Sequence, residues 1–245
     1  MAQPSQLPGE APERRQEARP GRRTFELAVL FGLVPGLLAL APRWAVSLGI
    51  LASGVIALAA LALDSTSSTP PALRGQAAFP RRELTRVGDL VAGGEHGKAL
   101  RSVGRRALAI AVGLFALTAF RSPAALFGLP RHRPAVWAIV MVLYPLSAYA
   151  QELVYRPFFF HRYGHLFSTA RRRILASGLL FGWAHVMVNN VLAIGLASIG
   201  GILFASTYER SRSTILVSLE HAVYGDLAFT IGLGGVFYST ARWIG

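Results

Sequence analysis

The sequence predicts an all-α fold, a polytopic transmembrane helical bundle of about seven spans, and three observations carry that prediction. Hydrophobic residues make up 53% of the 245 positions and the mean hydropathy is +0.43, although the formal net charge is +13. Apolar runs long enough to cross a bilayer recur along the chain. The basic residues gather beside those runs, as the positive-inside rule and anionic lipid favour, so the expected charged partner is the lipid bilayer and not nucleic acid.

Residues 1–22, "MAQPSQLPGEAPERRQEARPGR", offer little to bury and read as a disordered basic tail. A transmembrane hairpin over 23–63 follows, with spans at Phe25–Ala41 and Trp44–Leu63 turning at Pro42 and Arg43. "ALA" at 39–41 imitates a signal-peptidase box, but Pro42 directly after it argues for an uncleaved first span. Residues 64–106 are polar and then basic, with eight bases from Arg74 to Arg106, and read as a cytosolic loop with an interfacial helix near Leu84–Val91. A membrane core over 107–245 supplies runs at Ala107–Phe120, Ala135–Phe160, Ile174–Val191, Leu192–Tyr208 and Ile215–Tyr238. A cytosolic N-terminus in a bacterial-type inner (plasma) membrane puts the bases of 74–106, those of 162–173, Arg210 and Arg212 on the cytosolic side. Arg121, Arg131 and Arg133 fall on the other side, which leaves the third run open to a different topology, including re-entry of "RSPAALFGLP".

The chain has no cysteine, which excludes disulfides, thiolate metal sites and a cysteine nucleophile. No GxSxG, HExxH or phosphate-cradling glycine loop supports a familiar soluble hydrolase or nucleotide scheme. Nine of the twelve acidic residues lie in the tail, at helix ends or in the large loop, leaving Glu152, Glu220 and Asp226 inside spans. Of six histidines, His185 and His221 lie within spans. A central intramembrane charge costs at least about 2.5–3.5 kcal/mol on insertion scales, so such groups face one another or a wet cavity. A shared pocket of Glu152, His185 and His221 is the economical arrangement.

Glu152 and Arg156 are spaced i, i+4 and can pair on one helix face, with Gln151 pointing about 100° away. "FGWAH" puts Phe181 and His185 on one face, with Asn189 a turn further. "EHAVYGD" puts Tyr224 and Gly225 a turn beyond His221, with Asp226 slightly off that face and Glu220 read as structural. Gly178, Gly182, Gly195, Gly200 and Gly201 are small enough to let helices approach around a cavity.

"QELVYR", "FGWAH" and "HAVYG" over roughly 135–240 resemble the three motifs EExxxR, FxxxH and HxxxN/D of the CPBP family, the CAAX-protease and bacteriocin-processing (Abi) glutamic intramembrane proteases. The resemblance implies an endopeptidase in which a glutamate and a histidine activate water against a peptide bond of a membrane-anchored protein or peptide, with no cofactor and no metal. It places Glu152 at the second glutamate, Arg156 at the arginine, and His185 and His221 at the two histidines. Glu152, His185 and His221 are the expected catalytic residues, as base, its partner and the oxyanion donor; Gln151, Arg156, Asp226 and Asn189 support them. Two positions depart from the pattern. Gln151 replaces the glutamate used as base, and a carboxamide does not take a proton from water. Gly225 replaces the final Asn or Asp, a polar role open to Asp226, Asn189 or Asn190. "PFFFHRYG" and "EHAVYGDLAFTIGLG" resemble a subfamily with the same Gln-Glu pair, which favours activity. The Arg-rich, Lys-poor composition points to a bacterial host, and there to myxosortase-like enzymes that process C-terminal sorting signals rather than to prenylated CAAX substrates. Three other readings use the same residues: a proton-coupled transporter, a zinc site of Glu152, His185 and His221, and a catalytically silent membrane scaffold.

Overall fold

The computed structural model describes residues 20–66 and 95–237; the tail up to residue 19, the interfacial helix expected at 84–91 and Tyr238 lie outside the described residues. The described elements are all helical, in keeping with the expected membrane bundle. Helix α1 (20–38) contains a π-helical stretch at Ala28–Leu33, and α2 is Arg43–Thr66. Next come α3 (Glu95–Arg121), the short α4 (Gly128–His132), and α5 (Pro134–Leu153), which runs on through a π turn at Val154–Phe158 into Phe159–Tyr163. Helices α6 (Ala170–Ala184), α7 (Val191–Ser211), α8 (Thr214–Ile231) and the single turn α9 (Gly234–Phe237) complete the order.

Three stretches, Leu100–Arg121, Pro134–Leu166 and Val191–Ser211, are long and apolar enough to cross a membrane, and Leu48–Leu61 is a shorter apolar helix. Their outward faces carry exposed Leu108, Phe120, Val142 and Val191, while Thr118, Glu152, Arg156, Ser177, Thr207 and His221 are buried. Apolar outside and polar within is the arrangement a hydrocarbon solvent selects. The third apolar run is longer than its sequence suggests, because α3 begins at Glu95 inside the stretch expected as loop. "RSPAALFGLP" forms a 3-10 turn and α4, tied to the end of α8 by a hydrogen bond from Phe127 N–H to the Ile231 carbonyl (3.0 Å).

Local chemistry sets the helix ends. Thr169, Asn190 and Ser213 cap α6, α7 and α8 by accepting hydrogen bonds from backbone N–H groups of their first turns. Between α6 and α7 the chain tightens into a 3-10 turn at His185–Val188 and reverses at Asn189, in the left-handed region at φ 54°. Asn189 therefore does not continue the Phe181–His185 face expected of an unbroken helix; asparagine tolerates this conformation better than most residues.

Helices α6 and α7 form an antiparallel hairpin with nearly touching backbones. A Cβ on Gly178 would meet Ile202 N at 2.6 Å, one on Gly182 would meet Ser198 Cα at 2.8 Å, and one on Gly201 would meet the Gly178 carbonyl at 2.8 Å. Gly195 faces open space and Gly200 meets only Phe204 of its own helix, so these two of the five glycines do not serve the approach. Helices α5 and α8 also run antiparallel, with Trp137 Nε1 donating to Thr230 Oγ1 (3.0 Å) near one end. Helix α3 is held to α8 by Arg106, whose Nη1 lies 3.0 Å from Glu220 Oε1 while Nη2 donates to Thr207 Oγ1 at 2.9 Å. Tyr224 completes that cluster by donating to Glu220 Oε1 at 2.8 Å, which agrees with a structural role for Glu220.

Two substitutions test this packing in detergent-solubilised protein. Gly182→Val overfills the α6/α7 contact and is expected to lower unfolding free energy by about 1–3 kcal/mol, whereas Gly195→Ala is neutral or gains up to about 1 kcal/mol. Arg106→Met strands a fully buried carboxylate and is expected to cost about 3–5 kcal/mol, most of it recovered in Arg106→Met/Glu220→Gln. Chemical denaturation followed by tryptophan fluorescence measures both.

Candidate active site

The site begins at the π turn of α5, which carries Arg156 and Pro157. Such turns widen the helix by one residue and recur at functional positions. Here the Tyr155 carbonyl accepts hydrogen bonds from Ser177 Oγ (2.8 Å) and Arg156 Nη1 (3.1 Å). The Arg156 guanidinium is wholly enclosed, and protein groups meet all three of its nitrogens. Nε lies 2.8 Å from Glu152 Oε2, Nη1 also donates to Ser177 Oγ at 2.6 Å, and Nη2 donates to the Gly201 carbonyl at 3.2 Å. The rings of Phe181 and Phe204 lie 5.4 and 6.0 Å from the guanidinium carbon. The i, i+4 pair legible in the sequence is thus formed, and α6 and α7 close around it.

Glu152 is as deeply buried as Arg156, and its second oxygen, Oε1, lies 2.9 Å from His221 Nδ1. A carboxylate bound to a guanidinium only accepts hydrogen bonds, so Nδ1 of His221 carries a proton. In the neutral ring Nε2 then accepts from the Tyr144 hydroxyl, 3.1 Å away. Ring contacts fix the plane: His221 stacks on Phe204 at 4.6 Å and meets the edges of Phe181 and Tyr144 at 5.3 and 5.8 Å. Glu152 on α5 and His221 on α8 are therefore brought into direct contact from 69 residues apart.

His185 stands at the end of α6. Its Nδ1 lies 2.9 Å from the Phe181 carbonyl, an acceptor, so Nδ1 is the protonated nitrogen and Nε2 is left as an acceptor. The ring packs 5.0 Å from Phe181, which also meets His221 at 5.3 Å, so one phenyl ring touches both imidazoles. His185 makes no hydrogen bond to Glu152. Among the described residues no group of three His, Asp or Glu is arranged to hold a metal.

The supporting residues divide. Arg156 is integral to the cluster, while Gln151 turns away from Glu152 and its amide donates to Ser147 Oγ at 3.1 Å. Asn190 is spent on the α7 cap, Asn189 occupies the reversal, and Asp226 has a buried Oδ1 without a hydrogen-bond partner. None of the three bonds His221. Sequence reasoning missed Tyr144, Ser177, Phe204 and Arg106. Gly225 carried the signal for Tyr144: a side chain there would run into the Tyr144 ring. Glu220 carried the signal for Arg106, since a buried carboxylate requires a cation.

Comparison with known proteins agrees with this architecture. Residues 133–225 match the family described as Rce1-like, type II CAAX prenyl endopeptidase. The matched stretch opens at the head of α5, includes Glu152, Arg156, His185 and His221, and ends at Gly225. No curated protein and no solved structure matches the chain. Residues 133–225 thus carry a match to an Rce1-like domain of the CPBP family, a family of membrane proteases, in a chain whose described residues include three helices long and apolar enough to cross a membrane.

Proposed function

We propose that the protein is an intramembrane endopeptidase in which Glu152 and His221 together activate water against a peptide bond of a membrane-tethered protein, with His185 orienting that water. The observation that carries the reading is the doubly held Glu152 carboxylate. One oxygen pairs with Arg156, and the other accepts from Nδ1 of His221, so Glu152 backs the imidazole and leaves the lone pair on Nε2. Because both carboxylate oxygens are engaged, Glu152 acts through His221 and not directly on water, which moves the base from the carboxylate to the ring. This is the division of labour of a carboxylate–imidazole couple in acyl transfer.

The second imidazole complements the first. With Nδ1 of His185 committed to the Phe181 carbonyl, Nε2 accepts the other hydrogen of the attacking water and aims its oxygen. The proton taken by His221 returns to the leaving amine, which balances the hydrolysis without a cofactor. Bilayer-depth burial strengthens each of these interactions, since a dry site screens charge weakly. The bases flanking the spans support an inner (plasma) membrane setting with a cytosolic N-terminus, and C-terminal sorting signals are the substrate class in keeping with the motif contexts.

Substitution separates this reading from a silent scaffold stapled by Glu152 and Arg156, for which Gln151 is the motivating observation. In membranes of the native host, Glu152→Gln and His185→Ala are expected to reduce C-terminal processing of surface proteins by about 100-fold or more while the variants still accumulate. Mass spectrometry of the membrane fraction reads the new C-termini. Processing by Glu152→Gln at the wild-type rate would make Glu152 structural and the protein a scaffold.

A further inference from the structure

We infer that Tyr144 is a catalytic residue of this site, the proton relay between the attacking water and His221, seated there because Gly225 lacks a side chain. The inference rests on the peptidase reading above and adds the group through which the buried couple reaches its substrate.

Three observations bring Tyr144 to that position. Its hydroxyl meets Nε2 of His221 at 3.1 Å, on the opposite side of the ring from Glu152. Glu152 is wholly buried and the His221 side chain is only 5% exposed, while Tyr144 is half-buried and so the most accessible of the three. The Tyr144 ring fills the space beside Gly225, where any Cβ would collide with the ring carbons and the hydroxyl oxygen, and it also makes a T-shaped contact with Phe229 at 5.4 Å. Gly225 lies one helical turn beyond His221, so a polar side chain there would compete with Tyr144 for the same nitrogen. The space beside Gly225 on α8 is thus filled by a phenol from α5.

A hydroxyl donates one hydrogen bond while accepting others. Tyr144 donates to Nε2 and accepts from water at the same oxygen. As the water oxygen bonds the peptide carbonyl carbon, its proton passes to the Tyr144 oxygen while the Tyr144 proton passes to Nε2. The tyrosine ends neutral, His221 becomes an imidazolium against Glu152, and the negative charge develops on the carbonyl oxygen. Collapse of that intermediate expels the amine, and the same path run backwards returns the proton to it.

The test uses full-length protein purified in detergent, with the solubilised membrane fraction of a host lacking the chain as substrate pool and C-terminal processing read by mass spectrometry across pH. Tyr144→Phe keeps the ring against Gly225 and Phe229 and is expected to lower the rate by about 100-fold or more. Replacing Tyr144 by 3,5-difluorotyrosine keeps shape and hydroxyl but makes the phenol more acidic, so the alkaline limb of the rate profile is expected to move to lower pH. A structural tyrosine would not move that limb. Wild-type rates in Tyr144→Phe, or a superimposable profile for the fluorinated protein, would overturn the relay. Glu152→Gln is run beside them: if it is silent and Tyr144→Phe is active, the relay alone falls, and if it matches wild type, the peptidase reading falls and takes the relay with it.

Discussion

Everything at the centre of this molecule depends on one buried cation. The Arg156 guanidinium has no access to water, so its charge and its donors must be met by protein. Glu152 supplies the charge and the Tyr155 carbonyl, Ser177 and Gly201 supply acceptors, drawing groups from α5, α6 and α7 to one point. The close α6/α7 approach follows from the same requirement. Gly201 presents its carbonyl to Arg156 and, having no side chain, lets the Gly178 backbone come within reach. Loss of any one partner strands a charge or a donor in a dry core, which is far costlier than losing a surface ion pair.

From that fixed point a single chain of polar contacts runs to Tyr144. Arg156 takes one oxygen of Glu152, Glu152 turns the other to Nδ1 of His221, and His221 turns Nε2 toward Tyr144. Each contact orients the next group, and two adjoining aromatic rings, Phe204 stacked and Phe181 edge-on, hold the imidazole in plane. A structural ion pair and the proposed catalytic couple are therefore compatible at Glu152: one carboxylate oxygen meets Arg156 and the other meets His221. The second cluster, partly exposed Arg106 with buried Glu220, Thr207 and Tyr224, docks α3 on α7 and α8.

The sequence made legible what is local or costly. Glu152 and Arg156 four residues apart, two imidazoles within apolar runs, and glycines at Gly178, Gly182 and Gly201 all announced themselves through periodicity or through the penalty of intramembrane charge. The contacts that join distant segments were not legible. Tyr144 reads as an ordinary aromatic in a span and Arg106 as the last base of a loop, because nothing in their own neighbourhoods marks the helix they will meet. Helix ends also escaped periodicity: the 3-10 turn at His185–Val188 and the reversal at Asn189 depend on backbone dihedrals and caps, and they move His185 from mid-helix to a helix terminus.

Contact with Glu152 fixes the His221 ring with its proton on Nδ1 and its lone pair on Nε2. Nitrogen-15 NMR of histidine-labelled protein in lipid nanodiscs measures this directly, with the His221 signal identified by its loss in His221→Asn. A protonated Nδ1 and a hydrogen-bonded, unprotonated Nε2 are expected, with the preference lost in Glu152→Gln. A ring protonated on Nε2 alone, or one whose tautomer ignores the Glu152 substitution, would contradict this assignment.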